Sequence, residues 1–222
     1  MATKTGEGSQ SLKWTASALM VVALALAAVA AVPSARVALL GAAGRALVVT
    51  GSVGPADIVV VSLDSGGAGA LEAADLVGGG IAKQVAVFTD PPSGEDWEFI
   101  RRGLPYEDEG ARQIRQLRSL GVTDILQISR FEPGTEGEGQ VLPAWCDQHN
   151  FRSVLFVAAR DHSRRTQRVL DRVMRTHATR VTVRPARYSS FDPDRWWETR
   201  TGVRTEIIEL QKLLFDFVLH PM

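Results

Sequence analysis

The chain has 222 residues, of which 45% are hydrophobic, and its 25 Lys plus Arg balance 25 Asp plus Glu. That size and composition support one sizeable core, or one core with an appendage, and exclude an intrinsically disordered chain. With zero formal net charge there is no overall field to draw a polyanion, so nucleic acid is not expected as a partner.

The first element is residues 14–35, "WTASALMVVALALAAVAAVPSA", which holds no charged residue and is flanked by Lys13 and Arg36. At ~1.5 Å per residue it is long enough for the ~30 Å core of a bilayer. The expectation is one N-terminal transmembrane helix, preceded by a cytoplasmic tail (1–13) and followed by a juxtamembrane segment (36–54). A cleaved signal peptide would also end in small residues such as Pro33, Ser34 and Ala35, but its apolar part is typically only ~7–15 residues. A buried alanine-rich helix is the third reading. Lys4 and Lys13 before the stretch, against Arg36 and Arg45 after it, leave the orientation close to a tie.

From residue 55 onward short β-branched runs alternate with amphipathic stretches of helical length. The runs are "DIVVVSL" (57–63), "QVAVFTD" (84–90), "DILQIS" (124–129), "SVLFVAA" (153–159) and "RVTVRPA" (180–186). Such alternation predicts right-handed βαβ crossovers and a doubly wound α/β domain over 55–222, with a mostly parallel sheet of about five strands. The first and fourth runs are nearly all apolar, as central strands buried on both faces are. Residues 89–110, rich in Pro and Gly, read as a functional loop after the second strand. The lone cysteine, Cys146, excludes an internal disulfide and reads as a small buried hydrophobe. Near the C-terminus Ile207, Leu210, Leu214, Phe217 and Val218 have the spacing of an amphipathic helix that closes the sheet.

Ligands of open α/β sheets sit beyond the carboxyl ends of the strands. There the first run gives Asp64 with Gly66 and Gly67, whose backbone N–H groups could approach an anion. The second gives Thr89 and Asp90. The third gives Ser129, Arg130 and then Thr135, whose T-x-x-E spacing with Glu138 predicts a capping box. The fourth opens into "RDHSRRT" (160–166). Val169, Leu170, Val173 and Met174 form the inner stripe of the helix that follows, and Arg164, Arg168, Arg172 and Arg175 a solvated outer one. Arg165 lies on the inner stripe one turn earlier, so it is expected at the crevice as a fork for phosphate or carboxylate, with His162 beside it as general acid or base. Asp64, Asp90 and His162 are also candidates to gather around a divalent ion, although no metal-ligand spacing is present.

Several of these pieces resemble the SanA/ElyC/YdcF family of bacterial envelope proteins, over roughly residues 55–218. "ADIVVVSLDSGG" is similar to the family's opening, "ALEAADLVGGGIAKQVAVFT" to its helix and second strand, "GT" (134–135) to its N-T step and "VLFVAARDHSRRT" (154–166) to its V-T-x-x-x-H-x-x-R-A signature. The chain departs from the pattern at Gly69, where an arginine is usual, at Gly134 in place of asparagine, and in Thr89–Asp90 in place of Ser-Gly-Gly. The resemblance implies a single-pass protein of the cytoplasmic membrane with its domain facing the periplasm, acting in peptidoglycan or surface-polysaccharide maintenance. It carries the family's threonine, histidine and arginine onto Thr135, His162 and Arg165. Trp196 or Trp197, Glu209 and Lys212 look like its closing elements. The expected ligand is a phosphorylated or sugar compound, lipid-linked or free, which the protein binds and, in an enzymatic reading, hydrolyses or transfers. The alternative is a non-catalytic sensor or scaffold; adenosyl-methionine binding is a minor variant suggested by fold analogy and some family members.

Overall fold

The computed structural model describes residue 20, residues 32–51 and residues 53–221. The transmembrane expectation for residues 14–35 therefore falls almost wholly outside the described residues. Among those residues no helix is long and apolar enough to cross a membrane. The chain divides into two compact units, Met1–Ala43 and Gly44–Met222. In sequence, helix α1 (Pro33–Ala46) runs across that division. The larger unit thus begins before residue 55, because Leu47 is buried with Phe191 and Leu213 in a small second core.

The larger unit is a five-stranded, all-parallel sheet: β1 (Ile58–Val61), β2 (Gln84–Thr89), β3 (Ile125–Ser129), β4 (Ser153–Ala158) and β5 (Arg180–Pro185), in the order β3-β2-β1-β4-β5. β1 is "IVVV" and wholly buried, which is what a central strand covered on both faces demands. It pairs Val59 with Val85 on one side and with Leu155 on the other. Helices α2 (Gly66–Gly78), α3 (Gly94–Arg101), α4 (Glu109–Ser119), α5 (Gly134–His149), α6 (Ser163–Val173) and α7 (Arg200–Leu219) complete it. α2 packs on α4 and α5 on α6. With this strand order and right-handed crossovers, the two pairs cover opposite faces.

Local chemistry sets the helix limits. α2 turns Ala70, Ala73 and Leu76 to the sheet and is followed by Gly79 and then Gly80, which has a φ of 74°. The stretch 89–110, expected as a loop, contains α3, which opens in a capping box between Ser93 and Asp96. α5 ends on Asn150 in the left-handed region, with a φ of 58°. Cys146 is buried on α5, and burial pushes its thiol up to about 12.

The last helix corrects an expectation. Ile207, Leu214, Phe217 and Val218 do not close the sheet but are exposed, Leu210 alone of the expected stripe is partly buried, against the second core, and the buried residues of α7 are Glu206, Glu209, Leu213 and Asp216. The acidic stripe fits because α6 supplies arginines opposite it. Arg168 donates to Asp216 at 2.5 Å and lies 3.7 Å from the centre of the Phe217 ring, while Arg172 reaches both Asp216 (2.9 Å) and Glu136 (3.0 Å). Arg168 and Arg172 are thus not solvated, and of the outer arginines only Arg175 is exposed. Arg164 is likewise engaged, with its guanidinium on the carbonyls of Ala46 (2.5 Å) and Val48 (2.7 Å). The inner stripe is as expected: Val169, Leu170 and Met174 are buried.

Candidate functional site

All five strands point their carboxyl ends to one edge, where Thr89 ends β2 and Asp64, Thr135, His162 and Arg165 follow the ends of β1, β3 and β4. The order reverses between β1 and β4, so the crevice rule directs attention to the segments after these two strands.

After β1, Ser62 leads into a 3-10 turn, Leu63–Ser65, and Gly66 with a φ of 51° turns the chain into α2. Asp64 is exposed at the tip of that turn, and Gly67 lies in the first turn of α2. The turn is held from beneath by Glu138 of α5. Its Oε1 accepts from the Ser62 hydroxyl at 3.0 Å, from the Leu63 N–H at 2.9 Å and from Arg130 at 3.3 Å. Arg130 then forks onto Asp90, with contacts of 2.5 and 2.9 Å. From α4, Gln113 donates to the carbonyls of Ser62 and Leu63, each at 3.2 Å. Burial, with the charge of Asp64 added to it, pushes the Glu138 carboxyl up to about 7.

The capping box expected at Thr135 is therefore absent. Pro133 is the N-cap of α5, Thr135 lies inside the first turn with its buried hydroxyl unpartnered, and Glu138 faces β1 instead of its own helix start. Gly134, with a φ of 81°, and Pro133 start the helix earlier than the T-x-x-E pattern suggests. Thr89 ends β2, where its carbonyl accepts from the Arg130 N–H at 3.1 Å. With Asp90 engaged by Arg130, Asp64, Asp90 and His162 do not gather around one ion, and no cluster of metal-ligating residues occurs among the described residues.

After β4 the turn Arg160–His162 leads into α6, and its polar groups face α7. His162 Nδ1 lies 3.6 Å from Asp161 Oδ1, and its Nε2 is buried without a partner. Burial opposes charge on the ring, but the facing Asp161 carboxylate, with Glu209 behind it, outweighs burial and raises the imidazole above its usual value. Arg165 does not point into an open crevice. Its Nη2 lies 3.4 Å from Glu209 Oε2, and Glu209 also accepts from Lys212 at 2.6 Å. The sequence-derived residues thus fall into two groups. Asp64, Thr135 and Thr89 belong with Glu138 and Arg130 at the ends of β1 to β3, and His162 and Arg165 belong with Asp161 and Glu209 against α7.

Beside this second group lies a cavity of about 610 Å³, within the ~300–1,000 Å³ of small-molecule sites. Asp161 forms part of its wall, and the rest comes from residues 189–205, including Ser190, Asp192, Arg195, Trp196 and Thr205. Beyond Trp196 or Trp197 as a closing element, the sequence does not mark this stretch as a site, because it has no periodicity and no ligand-binding motif. Its available signal was "SSFDPDRWWETRT" (189–201), a run of hydroxyls, acids and paired tryptophans between the last strand and the last helix.

No protein-family model matches the chain, and no curated protein matches it. Among solved structures it is similar to a universal stress protein in complex with cAMP, with 17% identity and a TM-score of 0.35 over 61% of this chain and 99% of that one. It is also similar to an aureusimine biosynthetic cluster reductase domain, with 16% identity and a TM-score of 0.31 over 65% of this chain and 37% of that one. At these scores neither likeness extends to function.

Proposed function

We propose that this chain is a ligand-binding α/β protein of the bacterial cell envelope, held at the cytoplasmic membrane by residues 14–35, whose cavity between Asp161 and residues 189–205 takes a neutral sugar or similar polyol. The observation that carries the reading is the lining of that cavity. Ser189, Ser190, Thr199, Thr201 and Thr205 offer hydroxyls, Asp161 and Asp192 accept from ligand hydroxyls, and Trp196 offers an apolar plate. The wall holds three carboxylates, Asp161, Asp192 and Glu198, against one cation, Arg195, which disfavours a phosphorylated ligand. Arg165, the residue expected to hold a phosphate, is paired with Glu209.

Binding is favoured over turnover because the Nε2 of His162 is buried and the histidine serves to hold Asp161 in place. The envelope setting is supported by sequence only: the uncharged stretch 14–35 and the family likeness of residues 154–166. The test is tryptophan fluorescence of the full chain titrated with glucose, N-acetylglucosamine and glucose 1-phosphate. A saturable response to a neutral sugar that is lost in Trp196→Phe and weakened in Asp161→Asn supports the proposal. Saturation by the sugar phosphate alone, or responses unchanged in both variants, would overturn it.

A further inference from the structure

Helix α7 is turned inside out relative to an ordinary surface helix. All its acids, Glu206, Glu209 and Asp216, face inward, and its outward side carries Ile207, Ile208, Leu214, Phe215, Val218 and Leu219. Leu214, Phe215 and Val218 are 62%, 65% and 76% exposed, so nothing in the described chain covers them. Isolated exposed apolar residues are common, but a contiguous run of them along one helix face marks a binding surface.

The exposed charges that α7 itself carries have one sign. Arg200 and Arg204 are exposed in the first turns, and neither makes an ion pair among the described residues. Lys212, on the flank, is held by Glu209. At the other end Leu219 and His220 share a cleft of about 260 Å³ with Arg168, Arg172 and Arg175. Arg175 is exposed and likewise makes no ion pair among the described residues. The helix therefore offers an apolar strip from Ile207 to Leu219, roughly 20 Å long at ~1.5 Å per residue, with cationic groups at both ends and no exposed acid of its own.

We propose that this outward face of α7 lies flat on the surface of an anionic phospholipid bilayer. Phe215, Val218 and Leu219 enter the boundary between headgroups and acyl chains, while Arg200, Arg204 and Arg175 meet headgroup phosphates. Interfacial helices have this division, with an apolar face sunk ~5–10 Å and arginines at headgroup level. A second copy of the chain fits less well. However two such faces are paired, the arginines of each meet a face without an acid, because every acid of α7 points into its own domain. The inference stands apart from the sugar cavity and does not require residues 14–35 to span the membrane.

The test uses the full chain with vesicles of phosphatidylcholine alone and with added phosphatidylglycerol. A nitroxide is placed at Phe215→Cys or Val218→Cys, and at Lys83→Cys, an exposed site before β2, as the aqueous control. Cys146 is buried and stays unlabelled. The expected result is that labels at 215 and 218 become more accessible to oxygen than to a water-soluble nickel chelate when phosphatidylglycerol is present, while position 83 stays aqueous. Arg200→Glu combined with Arg204→Glu should return the label at 215 to water and lower the docked population by about tenfold or more, since each arginine near an anionic surface counts for about fivefold. Three outcomes would overturn the proposal. Labels at 215 and 218 could remain aqueous in both vesicle types, or embed equally without the anionic lipid. They could also be shielded from both reagents with spin–spin broadening, which would mark a second copy instead.

Discussion

Arg168 Nε donates to Asp216 Oδ2 at 2.5 Å, with 7% and 5% of the two side chains exposed, and this buried pair ties α6 to α7. The guanidinium also donates to the His220 carbonyl at 3.1 Å, so its loss would strip three partners at once: a carboxylate, a carbonyl and the Phe217 ring. Arg168→Met should cost ~3 kcal/mol, because it leaves Asp216 buried with only Arg172 to neutralise it. Arg168→Met with Asp216→Leu should recover much of that loss. Urea denaturation of the four members of the cycle measures it, and additive single losses would show that the pair is not coupled.

This pair also marks where sequence reading stops. The sheet was legible because a parallel core needs β-branched runs at regular spacing, and "DIVVVSL" and "SVLFVAA" are apolar on both faces as its central strands are. The inner stripe of α6 followed from helical periodicity in the same way. The arginines of α6 were misread because periodicity tells which residues share a face but not what faces them. Arg172 and Arg168 share one partner, Asp216, 44 and 48 residues on in α7, where it and the other acids occupy the inward face. For α7, hydrophobic spacing selected mostly the wrong face, since the ion pairs of Asp216 and Glu209, with Leu213 and Leu210 in the second core, dock that helix. At the site, the strand-end rule found the right edge of the sheet. It could not show that Glu138 supports β1 or that Arg165 is taken by Glu209, because both depend on helices brought close only by the fold.

Glu138 should prove to be a structural support of the β1 turn. Glu138→Ala removes the acceptor of the Ser62 hydroxyl and the Leu63 N–H and leaves both unpaired, along with one contact of Arg130. Buried polar groups left without partners cost ~1–3 kcal/mol each, so the variant should lose several kcal/mol. Ser62→Ala, which removes one donor and leaves the other contacts, should lose ~1 kcal/mol. Thermal melts compare the two, and hydrogen exchange should show that the added opening in Glu138→Ala begins at residues 62–66.

Gly137 controls the entry of α5. A Cβ there would sit 1.8 Å from the Glu132 carbonyl oxygen, a backbone atom that cannot swing aside. Gly137→Ala should therefore shift the first turn of α5 and cost roughly 1–3 kcal/mol as overpacking does. Gly94, at the start of α3, has open space around the same position, and Gly94→Ala should be near neutral. Chemical denaturation of both variants tests the contrast; equal effects would mean that the α5 entry is not constrained by Glu132.

Glu206 is the one acid of the buried α7 stripe without a hydrogen-bond partner on either carboxyl oxygen. Burial alone pushes its carboxyl up to about 7, from an ordinary value of 4.5. Between those two values the folded state binds a proton that the unfolded state has released, so stability falls as pH rises from about 4.5 to about 7 and then levels off. Glu206→Gln keeps the shape and removes the titration. Above pH 7 the variant should be more stable than the parent by ~1–2 kcal/mol, the shift being discounted for water that reaches the ionised group, and near pH 4.5 the two should be equal. Melting temperatures of both proteins at half-unit intervals from pH 4.5 to pH 8 give the curve. A difference that stays constant across that range would show that Glu206 is not the titrating group, and one that grows toward low pH would reverse the sign derived from its burial.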